Sequence, residues 1–173
     1  PRRLVAPGPS ADDLMQLLAA AGAAPDHGLL RPWRLIILSD ARRDDLAKAF
    51  AAALQERDPM ATDDQIAAAR DKALRGPLLM LLVARIRGGD PDIPALERLV
   101  SAGCAVQNLL LAAHALGFGT GLSSGRSMRS RVVCDFFRLD EDEEPACFMP
   151  VGRVSKAQTA RRLREPADFT TVL

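Results

Sequence analysis

Ala24-Pro25-Asp26-His27-Gly28-Leu29-Leu30-Arg31-Pro32-Trp33-Arg34-Leu35-Ile36-Ile37-Leu38 is the stretch on which the reading of this chain turns. It leaves a helix, crosses a polar loop and enters an apolar run that begins at the chain's one Trp. Ser10 is an N-cap residue, and Asp12 and Asp13 place acids at the positive end of a helix dipole. Leu14, Leu17, Leu18 and Ala21 then recur at helical spacing, which predicts a helix over residues 10–23. Trp33 to Ser39 is short, apolar and β-branched, bounded by Pro and Asp, and reads as a buried strand rather than a helix. A polar loop set between a helix end and a buried strand is a common place to hold a ligand.

Working outward, Asp40 caps a second helix that runs to about Arg57. Thr62-Asp63-Asp64 repeats the capping pattern for a helix ending near Leu74, and Gly76-Pro77 stops it before a second strand, Leu78 to Ile86. The turn Gly88-Gly89-Asp90-Pro91 closes that strand. Pro94 to Leu116 reads as one long central helix, with Leu96, Leu99, Val100, Gly103, Val106, Gln107, Leu110 and Leu111 on or near one broad face. A third strand is expected at Gly119 to Ser123, a fifth helix at Arg126 to Arg138, and a fourth strand at Ala146 to Val154, followed by a basic tail. On pattern alone, this alternation suggests a doubly wound parallel sheet.

Composition bounds the answer. The chain's 173 residues, 48% of them hydrophobic, suffice for one well-filled core, so residues 1–173 are read as a single domain. Lys and Arg number 23 against 22 Asp and Glu, which leaves none of the basic excess that nucleic-acid binding needs. The longest apolar run, Pro77 to Ala84, falls far short of the roughly 18 residues of a membrane span. Cys104, Cys134 and Cys147 stand singly in apolar surroundings with no His at metal-ligand spacing, which points to reduced core residues, a cytoplasmic protein and no metal. The chain starts at Pro1 with no leader pattern, so it is expected to lack some native N-terminal residues.

Two further segments complete the constellation: Ser101-Ala102-Gly103-Cys104-Ala105-Val106-Gln107-Asn108 on the long helix, and Gly117-Phe118-Gly119-Thr120-Gly121-Leu122-Ser123-Ser124-Gly125 after it. With the Pro25-Asp26-His27 loop, their order and spacing resemble the small nitroreductase-like flavoproteins, which bind FMN. The resemblance runs from Arg3 to Pro166-Ala167-Asp168-Phe169. It implies an α+β nitroreductase-like fold, a mixed β-sheet wrapped by helices around a long central helix, in place of the doubly wound sheet. It also implies a homodimer with flavin sites at its interface, NAD(P)H as electron donor and a small organic molecule as acceptor, with the chemistry at the flavin rather than at a catalytic side chain.

Residue by residue, the resemblance places Pro25, Asp26 and His27 against the flavin, with Asp26 able to orient the His27 ring, and runs Leu122, Ser123 and Ser124 beneath it. Arg31 stands where the family usually has Gln before Pro-Trp, and a fixed cation there would favour the anionic reduced flavin. The family's Arg-Arg-Ser phosphate grip precedes the segment that Arg3-Leu4-Val5-Ala6-Pro7-Gly8-Pro9 matches, so Arg162 and Arg164 are the remaining candidates for the phosphate.

Plainer readings stand beside these. His27 could only cap a helix end, Trp33 could be core, Gly103 could serve helix packing, and Arg162 and Arg164 could be solvated. The 119–125 glycines do not form a dinucleotide loop, because the third comes one position late and the segment before them is helical. With His27 and His114 alone, the latter on an apolar helix, no Ser/His/acid triad suggests itself. The alternative function is a dimeric module, flavin-binding or flavin-free, that kept the fold and lost turnover.

Overall fold

The capping signals act where the sequence places them. In the computed structural model, which describes residues 3–156 and 164–173, Ser10 and Asp13 form a reciprocal capping box at the start of α1, Ala11–Gly22. Thr62 and Gln65 do the same for α3, Asp63–Arg70. Ser130 Oγ accepts from Val133 N at the start of α5, Arg131–Phe137. Two predicted helices are broken. A 3₁₀ turn at Asp40–Arg42 precedes α2, Arg43–Arg57, and another at Arg126–Arg129 precedes α5, whose end is closed by Arg138 in the left-handed region. The helix predicted to end near Leu74 likewise tightens into a 3₁₀ turn at Asp71–Leu74.

The sheet orders its strands β1-β5-β3-β2, where β1 is Leu4–Val5, β2 Trp33–Leu38, β3 Leu78–Arg85 and β5 Glu143–Val154; β4, Gly119–Thr120, pairs with β5. Every pairing among the described residues is antiparallel. The doubly wound parallel pattern is therefore absent, and within these residues the sheet is antiparallel rather than mixed. The strand predicted over Gly119 to Ser123 shortens to β4 plus a single bridge from Ser123 to Phe148, interrupted at Gly121 and Leu122.

β3 is covered on both faces, which explains its continuous apolar sequence in an antiparallel setting. Leu79, Leu81 and Val83 face a core built with Leu46, Phe50 and Leu54 of α2 and Val133 and Phe137 of α5. Met80, Leu82 and Ala84 face the opposite core, with Leu17 of α1 and the helix α4, Ala95–Ala115. The apolar face expected on α4 is for the most part the one turned outward. Ala102, Ala105, Val106, Leu109 and Ala113 are buried against the sheet, whereas Leu96, Leu99, Val100 and Leu111 are exposed. A helix of alanines packs close to the sheet and leaves its larger side chains to the outside.

Candidate functional site

One wall begins at the turn between α3 and β3. Gly76 has φ +67°, a conformation that favours glycine, and the chain reverses there to bring Leu74 and Arg75 over β1 and the end of β5. Across from them lie Gly121, Leu122 and Ser123, the last held on the sheet by Ser123 N donating to the Phe148 carbonyl at 2.9 Å. Between the two lies a cleft of about 630 Å³, with Arg3 and Arg75 as its cations and Leu4, Leu74, Leu122 and Pro150 as apolar walls. That volume lies within the range of small-molecule sites, roughly 300–1,000 Å³. The turn is fixed from beneath by Arg43, whose buried guanidinium donates to the carbonyls of Ala73, Gly76 and Pro77 at 2.8, 3.3 and 3.1 Å. Among the described residues its Nε has no hydrogen-bond partner, and burial pushes the pKa of this guanidinium below its usual value.

The second candidate wall is the loop from Pro25 to Arg31. Gly28, Leu29 and Arg31 all have positive φ, at 64°, 54° and 49°, a concentration of strained backbone that side-chain contacts must hold. Asp26 accepts from Arg31 N at 2.6 Å and so closes the loop on itself. The expected pairing of Asp26 with the His27 ring is not what orients it. His27 Nδ1 lies 2.5 Å from Glu97 Oε2, in the first turn of α4, and this bond raises the His27 pKa above its ordinary value, with smaller contributions from Asp90 and Asp26. Trp33 ties the start of β2 to α4 through Nε1, which donates to Ser101 Oγ at 3.2 Å.

Arg31 lines a smaller recess of about 140 Å³ with Trp33, Arg34, Val83, Arg85 and Glu143. There Arg34 grips Glu143 with two bonds of 2.7 Å, and the Glu143 side chain is only 2% exposed. The guanidinium holds that carboxyl below its usual value. Burial pushes the Cys147 thiol up to about 11, so it stays protonated.

The chain therefore groups the predicted residues into two sets. Leu122 and Ser123 line the large cleft, with Ser124 exposed beside them; Pro25, Asp26, His27 and Arg31 belong to the other wall. The walls share no lining residue. Trp33 pairs with Ala84 and Pro150 with Leu79, five steps away along β3, or about 17 Å at the rise of a strand. Arg164 donates to the Asp168 carbonyl at 2.6 Å and lies over Phe169, while Arg162 falls outside the described residues. Sequence reasoning missed Arg3 and Arg75 in the cleft, and Glu97 on His27. Glu97 carries only the signal of a first-turn acid, and nothing local marks Arg75.

An antiparallel five-stranded sheet between two helical layers, with a long helix along one face, is the architecture of flavin-type oxidoreductases related to nitroreductases. The model of the Nitroreductase family matches residues 2–153, and the chain belongs to that family. A protein of Haemophilus influenzae, provisionally named as an NAD(P)H nitroreductase, is 31% identical over 173 residues, covering 99% of this chain and 93% of its own. The crystal structure of a nitroreductase-like family protein from Bacillus cereus superposes with a TM-score of 0.83 at 19% identity, covering 100% of this chain and 90% of that one. An iodotyrosine deiodinase solved with FMN and 3-iodo-L-tyrosine has a TM-score of 0.70 at 19% identity, covering 99% and 94%. These last two share the fold.

Proposed function

We propose that the protein is an FMN-dependent oxidoreductase that uses NAD(P)H to reduce a small organic acceptor. The observation that carries the proposal is the 630 Å³ cleft, in which two guanidiniums outnumber the one carboxylate, Asp71. Its apolar side chains suit a flat ring system, and the guanidiniums of Arg3 and Arg75 supply fixed positive charge for an anionic group. The names of the relatives and the FMN in the deiodinase support the same reading. A bound FMN would supply the two-electron chemistry that links NAD(P)H to the second substrate.

The chain's own part is to bind, orient and exclude water. The Arg43 clamp keeps the 73–77 turn, and hence Arg75, at the rim of the cleft. The Ser123 bridge fixes the opposite wall, and Leu74 and Leu122 cover the space between. His27, Arg31 and Pro25 act as the second wall, with Arg164 and Arg162 remaining candidates for the cofactor phosphate. Titration of purified protein with FMN tests the reading: a flavin spectrum retained on gel filtration is expected, and a protein that gains no flavin signal would refute it.

A homodimer is the second part of the proposal, and the exposed side of α4 supports it. Leu96, at 72% exposure, Leu99, Val100 and Leu111 leave an apolar stripe uncovered in one chain, and Gly103 on the same side meets nothing within 4 Å. A second copy packed there would cover the stripe and bring the loop of one chain toward the cleft of the other. The apolar set on α4 suits a dimer in either functional reading, including the alternative of a dimeric module, flavin-binding or flavin-free, that kept the fold and lost turnover.

A further inference from the structure

The segment between β3 and α4 is shaped by one side chain. Arg98, in the first turns of α4 and 4% exposed, turns its guanidinium back onto the residues that precede the helix. Nε donates to the Ile93 carbonyl at 2.9 Å, Nη1 to those of Gly88 and Arg87 at 2.5 and 3.3 Å, and Nη2 to that of Asp90 at 2.6 Å. Every one of these partners is backbone. A buried guanidinium is costly unless its donors are met, so the side chain and the loop fix each other's shape. Gly88 and Gly89, at φ +75° and +68°, supply the left-handed backbone that lets four carbonyls converge.

This cage abuts the strained loop at two points. A Cβ on Gly89 would lie 2.9 Å from Leu30 Cδ1, and a Cβ on Gly28 would lie 2.9 Å from Ile93 Cδ1. The neighbour of Arg98 on the helix, Glu97, is the residue that holds His27. Side chains therefore pass the geometry of α4 to a loop whose own backbone is unfavourable.

We propose that Arg98 is a positioning residue for the His27–Arg31 loop: by caging the 87–93 backbone, it fixes the surface on which Gly28 and Leu30 rest and keeps His27 on Glu97. The consequence for the cofactor rests on the function proposed above. The bland alternative is an arginine that stabilises the core and leaves the loop indifferent to it.

The two histidines of the chain provide the test, since NMR can follow both, and His114 at the far end of α4 is an internal reference. Glu97, Asp90 and Asp26 face His27 and raise its titration midpoint. In Arg98→Met the His27 midpoint is expected to fall back toward that of a free histidine while His114 is unmoved, and Arg98→Lys is expected to recover part of the shift. Leu30→Ala leaves the cage intact and removes its contact, so it should lower the His27 midpoint by less. A folded Arg98→Met with His27 at its wild-type midpoint would overturn the proposal. If that variant does not fold, an unchanged midpoint in Leu30→Ala overturns it instead. FMN titration of the same variants separates this inference from the functional one. A weakening of about threefold to tenfold is expected if the loop touches the flavin. A lost His27 shift with unchanged FMN affinity keeps Arg98 as the positioning residue and removes the loop from the flavin site.

Discussion

The two walls of the candidate site are built by opposite means. The cleft wall is carried on the sheet: the 73–77 turn runs into β3, Ser123 bridges β5, and Arg43 clamps the turn through three carbonyls. Among the described residues the loop wall has no sheet pairing between Pro25 and Arg31, carries three positive φ values, and depends on α4 and the segment before it through Glu97, Ile93 and the Arg98 cage. Both use a buried arginine that binds carbonyls. In one case it braces a turn that runs directly into strand pairing at Leu78, and in the other it cages a segment that lies outside the sheet. Rigidity in the cleft is thus distributed, whereas in the loop it is concentrated in a few side chains.

Substitutions at glycines sharpen the contrast, ranked by their effect on chain stability. Gly152→Ala would place a Cβ 2.5 Å from Pro77 Cδ and 3.0 Å from Val5 O, where β1, β5 and the turn meet. Overpacking of this kind costs about 1–3 kcal/mol, and the rigid neighbours put it near 3, measured by urea unfolding. Gly28→Ala should cost less, about 1–2 kcal/mol for the left-handed backbone, because the end of the Ile93 side chain can move aside. Equal losses at both sites would remove the proposed difference in rigidity.

Gly103→Leu tests the open face of α4. A Cβ there meets nothing within 4 Å among the described residues of one chain, and the better helix propensity of Leu should add up to about 1 kcal/mol to folding. In the dimer it should clash, so sedimentation is expected to show a shift from dimer to monomer at micromolar concentration. A wild-type chain that is itself monomeric there would contradict the proposed interface.

The smallest effect is on pH dependence. His27 titrates above 6.5 because of Glu97, so the stability from this pair is fully present below about 6.5 and is lost as pH rises through the raised folded value. Glu97→Gln should remove that slope in the alkaline direction. Glu143 behaves in the opposite sense: Arg34 lowers its pKa below 4.5, so its contribution is present above that value and is lost as pH falls through the folded one. Glu143→Gln should therefore flatten the acid limb of stability and leave the His27 limb alone.

Much of the architecture was legible because it rests on local rules. Ser10 and Thr62 signal caps that form, and the unbroken apolar run from Leu78 marks the strand buried on both faces. The segments that carry Pro25-Asp26-His27 and Leu122-Ser123 were legible as loops next to strands, through their order along the chain. Their mutual position was not. Nothing local indicates that β4 stops at Thr120, that Arg75 turns over the cleft, or that His27 meets a residue 70 positions away. On α4, helical spacing identifies the face that Leu96, Leu99, Val100 and Leu111 share, but it does not say whether a single chain covers it.

Subunit mixing tests most directly whether the two walls meet across a dimer. A loop variant carrying His27→Ala and Arg31→Ala, and a cleft variant carrying Ser123→Trp, should each bind FMN poorly as homodimers. If each site takes its loop from one chain and its cleft from the other, a mixed dimer holds one intact site and one doubly altered site. Random exchange between equal amounts should then restore FMN binding to about a quarter of all sites, from the symmetry of a two-fold dimer. Complete exchange of the subunits, shown by mass spectrometry, with no recovery of flavin binding would contradict the account.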